Sequence, residues 1–349
     1  MSTETVRDAV TEYYSETLKS YEDLKTNACC AATEPPAHLK PILAKIHTEV
    51  HMKFYGCGSP IPEALEGLRV LDLGCGTGRD CVVIAKLVGD TGQVVGVDMT
   101  DEQLEIANRW LPYHEEKLEI KPGVLSFVKG HMEDLAAIGL EDNSFDLVIS
   151  NCVLNLSADK DKLFSEIFRV LKPGGELFFS DVFADRRIPS HLANDPVLLG
   201  ECLGGAMYTE DFRRMMIANG CPDYRTVSTT PLAIEDGEIF NKIGMVQFTS
   251  DTVRVFKIAS LEDRCEDFGQ IATYKTPMLG HPHAFELDDH HYFELGKPMR
   301  VCGNSAAMLS ETRYKKYFEV LGDKSTHFGL FASEEPMMIA PHVSGGGCC

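Results

Sequence analysis

Basic residues are scarce in this chain of 349: 33 Lys and Arg stand against 53 Asp and Glu, a formal net charge of −20. Such a surface repels phosphate backbones and anionic headgroups, so neither nucleic acid nor membrane is an expected partner. Long apolar runs are missing too, and none approaches the ~20 residues of a membrane span. The N-terminal MSTETVRDAVTEYYSE is polar and acidic, unlike a signal or transit peptide. Cysteine occurs at 12 positions, well below the ~8–10% of a small disulfide scaffold. No two cysteines form a Cys-x-x-Cys pair, which excludes a zinc ribbon or thioredoxin motif. The expectation is a soluble, cytoplasmic protein whose cysteines are mostly reduced.

What is present is a change of rhythm along the chain. Residues 1–25 carry apolar side chains at helical spacing, and a second helix is expected from Pro41 to Phe54. From Leu68, β-branched strands alternate with helices. Arg69–Leu73, Val94–Val97, Ser126–Lys129, Phe145–Ser150 and Glu176–Asp181 read as strands, with helices over 79–88, 101–116 and 159–171 between them. Such alternation predicts a parallel sheet covered on both faces. Helices around 190–204 and 209–219 follow, then strands near 224–232 and 251–258. Beyond residue 261 short strands are expected at His283–Leu287, Met299–Cys302 and Thr326–Phe331, with a helix over Ala306–Leu321. Three segments result: 1–66 with helices and cysteine loops, 67–260 as the α/β domain, and 261–349 as a small α+β domain with a glycine-rich tail.

Residues 70–80, VLDLGCGTGRD, end a strand, place glycines at 74, 76 and 78, and open a helix. Glycines there tolerate positive φ and let a ligand approach the backbone. The spacing is G-x-G-x-G, not the G-x-G-x-x-G of dinucleotide binders, and Asp72 precedes it. The next strand ends at Asp98, which sets a carboxylate where ribose hydroxyls can donate to it. With VVGVDMT, GHMEDL, FDLVISN and RVLKPGGELFFSD at the right intervals, the succession resembles the class I S-adenosylmethionine-dependent methyltransferases over about residues 67–260. The resemblance implies a doubly wound, seven-stranded Rossmann-like sheet. It gives Gly74, Gly76 and Gly78 the methionine part of the cofactor, Asp98 the ribose, Met99 one adenine face, and Met132 and Glu133 the adenine edge. Asp72, Asn151 and Tyr55 join the expected cofactor site. A nicotinamide is the runner-up cofactor.

Strand four leads into Asn151-Cys152, where the methyl group would meet its acceptor. Taken alone, Cys152 reads as a packed core thiol. Cys57 on a glycine-flanked turn, and Cys202 in GECLGGA after strand five, add two further thiols. Three converging thiols would form a soft site, suited to a thiophilic ion rather than Mg²⁺. The strings LKTNACC, FYGCGSPIP, SNCVLNL and GECLGGA, with VRVFKIASLEDRCEDFGQIATYKT and HHYFELGKPMRVCGN, resemble the arsenite S-adenosylmethionine methyltransferases over nearly the whole chain. That resemblance implies Cys152, Cys202 and Cys57 as ligands of trivalent arsenic, and Cys29, in preference to Cys30, as the redox partner of Cys57. It also implies arsenite and methylarsenite as substrates, a glutathione- or thioredoxin-like reductant, and no metal cofactor. Two readings stay open: C- or O-methylation of a quinone-like molecule, and arsenic sequestration without catalysis.

Asp288-Asp289-His290-His291 has the composition of a metal site, but neighbours on a strand face opposite ways, and it reads as a surface hairpin. Cys75 and Cys81 read as packing residues around the glycine loop. Cys221, Cys265 and Cys302 have no assigned partner.

Overall fold

The computed structural model describes residues 35–331 except Tyr55, Cys57, Asn194 and Glu235. The expected helix over 1–25, Cys29, Cys30 and the tail cysteines Cys348 and Cys349 lie outside the described residues. The expected helix from Pro41 to Phe54 is two short ones, α1 (Lys40–Leu43) and α2 (Thr48–Met52). His47 adopts an extended conformation between them, and its ring accepts from the Glu49 amide, capping α2.

The alternating segment runs β1 (Arg69–Leu73), α3 (Arg79–Val88), β2 (Gln93–Asp98), α4 (Asp101–Leu118), β3 (Leu125–Lys129), β4 (Phe145–Asn151), α5 (Lys160–Val170) and β5 (Leu171–Ala184). Then come α6 (Ser190–Ala193), α7 (Pro196–Gly200), β6 (Met207–Tyr208), α8 (Thr209–Ala218), β7 (Tyr224–Pro231), α9 (Gly237–Ile243) and β8 (Phe248–Phe256). The seven main strands lie in the order β3-β2-β1-β4-β5-β8-β7, with the two-residue β6 appended to β5. All pairs up to β5 are parallel; β8 runs antiparallel to β5 and β7.

The strands are buried on both faces, so their apolar residues divide by parity. Leu71, Leu73, Val95 and Val97 pack toward α5 and α8, while Val70 and Val94 pack toward α3 and α4. The chain leaves β1 toward β2 and later returns to β4 on the other side, which opens a crevice at the carboxyl ends of those strands. The Lys172-Pro173-Gly174-Gly175 segment does not precede β5 as a separate turn. It lies within the strand's span as a register break, Phe145 facing Leu171 and Leu147 facing Glu176. The helix expected over 190–204 is two short helices followed by a turn, in which the Gly204 amide donates to the Leu198 carbonyl at 2.7 Å.

A separate core spans Phe256 to Phe318. It holds β9 (Ile271–Tyr274), the hairpin β10 (Ala284–Asp288) and β11 (His291–Glu294), β12 (Pro298–Arg300), α10 (Gly303–Ser310) and β13 (Phe318–Leu321). The helix expected over Ala306–Leu321 stops at Ser310, and its last expected turn is β13, paired with β9. Thr326–Phe331 forms no strand, only a bridge from Leu330 to Glu266. Among the described residues no helix is long and apolar enough to cross a membrane.

Candidate active site

The glycine loop between β1 and α3 holds Gly74, Gly76 and Gly78 at φ of 70°, 52° and 82°. A Cβ on Gly74 would fall 2.3 Å from Val153, and one on Gly78 would fall 2.5 Å from Phe127. At Gly76 the nearest heavy atom would be 4.0 Å away, because that position faces open space. The Gly76 amide donates to Asp98 Oδ2 at 2.9 Å, and the Thr100 amide to Oδ1 at 2.9 Å, so the carboxylate ending β2 is fixed against the loop. Above it lies a cleft of about 1100 Å³ including its open mouth, enough for a nucleoside-sized ligand. Asp72, Gly74, Gly76, Asp98, Met99, Met132, Glu133 and Asn151 line this cleft, as expected from the sequence. Gly78 instead caps α3, Glu133 accepts from the Ser157 hydroxyl at 2.7 Å, and Tyr55 lies outside the described residues.

Charge in the cleft is unbalanced. Burial, followed by the nearby Asp80 and Asp98 charges, pushes Asp72 up to about 8, against a lowering hydrogen bond from the Cys81 thiol. Burial likewise raises Asp98. Gln103 Oε1, buried beside Gly76, has no hydrogen-bond partner. Buried carboxylates and an orphaned acceptor at the mouth of a nucleoside-sized cleft fit a ligand bearing a cation and hydroxyl or amino donors. S-adenosylmethionine has all of these.

The acceptor end is built where β4 stops. Asn151 exchanges two hydrogen bonds with Gly58, whose amide donates to Oδ1 at 3.2 Å and whose carbonyl accepts from Nδ2 at 3.1 Å. The next residue, Cys152, is buried and lines the cleft with a left-handed φ of 59°. Cys202, fully buried in the turn after α7, has a φ of 61°. A residue with a Cβ pays for that conformation at roughly 1–2 kcal/mol. The Cys202 thiol donates to the Cys152 carbonyl at 3.3 Å. Ligand atoms of Cys152, Cys202 and Asp181 all lie within 4.8 Å of one another, the one such donor cluster among the described residues.

Cys152 is disulfide-bonded. The other described cysteines are free thiols, so its partner lies outside the described residues, as do Cys57 and Cys29. Mostly reduced cysteines were expected, and among the described ones Cys152 is the exception.

Three residues given no role on sequence grounds complete this end. Asp181 on β5 accepts from the Asn155 amide at 3.0 Å, from Asn155 Nδ2 at 2.7 Å and from the Val182 amide at 2.8 Å. Burial pushes it up to about 7. Lys160 Nζ donates to the Asn155 and Ser157 carbonyls at 3.1 and 3.2 Å, and it faces Asp181, Cys202 and Glu133. The one sequence signal was the acid ending the FFSD run. Of the other thiols, Cys75 lines the cleft and Cys81 is buried against Asp72. Asp288 and His291 flank the β10–β11 turn and bond each other at 2.7 Å.

Comparison with known proteins agrees with this architecture. A methyltransferase-domain family model matches residues 64–220. An arsenite methyltransferase of Aquipseudomonas alcaligenes is 50% identical over 93% of this chain and 94% of that protein. The human arsenite methyltransferase is 36% identical over 99% and 96% respectively. The crystal structure of an arsenic(III) S-adenosylmethionine methyltransferase from Chlamydomonas reinhardtii superposes with a TM-score of 0.82, at 50% identity, over 86% of this chain and all of that one. A doubly wound cofactor domain, two buried cysteines at its acceptor end and relatedness over nearly the full length place the chain in the arsenite methyltransferase family of S-adenosylmethionine-dependent enzymes.

Proposed function

We propose that the protein transfers methyl groups from S-adenosylmethionine to trivalent arsenic held by Cys152, Cys202 and Cys57. The observation that carries this reading is the pair of buried cysteines, both in left-handed backbone conformations, one of them lining the cofactor cleft. Core packing alone gives no reason to hold two cysteines in that conformation at one point.

S-adenosylmethionine supplies an electrophilic methyl carbon on a sulfonium. The chain's part is binding and aim. When the cofactor is bound, Asp98 would accept from the ribose hydroxyls, Asp72 would pair with the cationic amino-acid end, and the bare backbone at Gly76 would leave room for both. Arsenite loads by ligand exchange, As(OH)₃ + 3 RSH giving As(SR)₃ + 3 H₂O, so no base is consumed. The pyramidal thiolate complex keeps a lone pair on arsenic, and holding it toward the methyl carbon is a proximity effect. With Cys152 in a disulfide, loading first requires a thiol reductant to open that bond by exchange.

The test is to incubate protein, arsenite, S-adenosylmethionine and a dithiol, then separate and count the arsenic species. Methylated arsenic that appears only with all components is the expected result. Absence of methylated arsenic with reduced protein and excess cofactor would sink the reading. Methylation of a quinone-like acceptor, unaffected by thiol substitution, would favour the alternative.

A further inference from the structure

Beyond the cofactor cleft, a second group of thiols sits between the sheet edge and the C-terminal core. Cys302 caps α10, and its sulfur accepts from the Ser305 amide at 3.4 Å and meets the Ser305 hydroxyl at 3.3 Å. Arg225 on β7, itself nine-tenths buried, points Nη2 at the same sulfur from 3.8 Å. Asp223 and Asp288 hold that guanidinium at 2.7 and 2.8 Å, and His291 bridges Asp288 and Ser305. Cys265, exposed to solvent, is brought beside Cys302 by the pairing of their chain neighbours Glu266 and Gly303. Its position is set by two backbone hydrogen bonds, from Gly303 to the Glu266 carbonyl and from Phe331 to the Cys265 carbonyl.

We propose that Cys265 and Cys302 form a second thiol site that undergoes thiol–disulfide exchange with small disulfides, separately from methyl transfer. The placement divides the labour. Cys265 is the accessible sulfur, whereas Cys302 is 1% exposed. The hydrogen bond from Cys265, then Arg225 and Ser305, hold Cys302 down at about 5 against the opposing effect of burial. Cys265, which keeps the shared proton, is raised. A helix N-terminus and a guanidinium are the surroundings that keep a cysteine as thiolate. The chemistry balances: Cys265–SH + Cys302–S⁻ + RSSR gives Cys265–S–S–Cys302 + RSH + RS⁻. In the first exchange the Cys302 thiolate takes the shared proton as the Cys265 sulfur attacks, forming Cys265–S–S–R and RS⁻, and that RS⁻ then recovers the proton from Cys302 and leaves as RSH. Cys302 thiolate then attacks the Cys265 sulfur and expels RS⁻. The small disulfide is the oxidant and accepts both electrons.

Trypsin separates the two cysteines, placing Cys265 in Cys265–Lys275 and Cys302 in Val301–Arg313. Reduced full-length protein is exposed at pH 6 to an equivalent of 5,5′-dithiobis(2-nitrobenzoate), then alkylated, digested and weighed. The expected result is the linked pair of these peptides as the main product. Cys302→Ala should stop at a stable mixed disulfide on Cys265. Cys265→Ser should leave Cys302 unmodified and, fully reduced, methylate its substrate at the wild-type rate. A wild-type protein that keeps a capped Cys265 without the link carries only an exposed thiol, and the proposal fails. A fall in methyl transfer in reduced Cys265→Ser would overturn the separation of the two sites.

Discussion

At the scale of single residues, the four assigned cysteines divide by how many positions on arsenic they must fill. Arsenite offers three exchangeable positions, whereas monomethylarsenite keeps two after carbon takes one. Cys152 and Cys202, joined through the Cys202 thiol and the Cys152 carbonyl, are the two proposed to stay on arsenic throughout. Cys152→Ser and Cys202→Ser are expected to lose activity on both substrates, while Cys57→Ser and Cys29→Ser lose arsenite but keep monomethylarsenite. Serine is too hard and too weakly acidic to replace a thiolate ligand. Rates on both substrates for all four variants check this; wild-type arsenite methylation by Cys57→Ser would remove the third thiol. Asp72 gives a pH prediction. Its folded pKa of about 8 lies above the unfolded value near 3.9, so the folded chain binds a proton that the unfolded chain has lost. This group's contribution to stability therefore falls as pH rises between those values. Asp72→Asn should raise the stability of the cofactor-free protein at pH 8 by about 1–3 kcal/mol. It should weaken cofactor binding at the same time, because the cation loses its partner. Thermal melts at pH 6 and 8, with and without S-adenosylmethionine, give both effects; a variant melting like wild type throughout would mean Asp72 is not the charged group in play.

At the scale of elements, the turn bearing Cys202 depends on its neighbours. Asp195 caps α7, accepting from the Val197 and Leu198 amides at 3.0 and 3.2 Å, and its other oxygen accepts from Lys242 of α9 at 2.7 Å. One carboxylate thus ties together the two elements that cover the acceptor end. Removing such a cap costs about 0.5–2 kcal/mol, felt here in the placement of Cys202 rather than of the cofactor loop. Asp195→Ala is expected to raise the KM for arsenite several-fold while leaving the cofactor Kd unchanged. Equal losses in both would show that α7 and the cofactor loop move as one.

For the whole molecule, the C-terminal core is fastened to the sheet by a buried ionic cluster. Glu176 on β5 and Arg254 on β8 are both fully buried and pair at 3.0 Å, and Arg313 reaches the second Glu176 oxygen. Glu63 adds a carboxylate on Arg254 at 3.4 Å and a carbonyl that accepts from Arg313 at 3.0 Å. Glu176→Gln leaves two guanidiniums without their main counter-charge, a change that costs about 3–5 kcal/mol. Trp110, the single tryptophan, lies on α4, stacked on His47 at 3.3 Å. Urea unfolding followed through its fluorescence should show the midpoint falling with the far-ultraviolet signal. A Trp110 midpoint that stays put would mean that the C-terminal core unfolds on its own.

The sequence by itself determined the cofactor half of the protein. Strand parity, glycines 74, 76 and 78, and Asp98 at a strand end are local patterns; Gly74, Gly76 and Asp98 line the cleft they predict, while Gly78 caps α3. Local pattern placed the cysteines at 152 and 202 after strands four and five, and the family resemblance singled them out. Only the tertiary structure decided what those thiols meet. Asp181, Asn155 and Lys160 gather around Cys202 because β5 lies beside β4 and the turn after α7 folds back over both, and sequence spacing does not encode that approach. The divided helix before Phe54 and the strand Phe318–Leu321 were misread for a related reason. Short elements there are chosen by packing and strand pairing rather than by periodicity, which two turns of chain are too short to express. The same holds for Cys265 and Cys302, 37 residues apart in the chain and adjacent only because Gly303 pairs with Glu266.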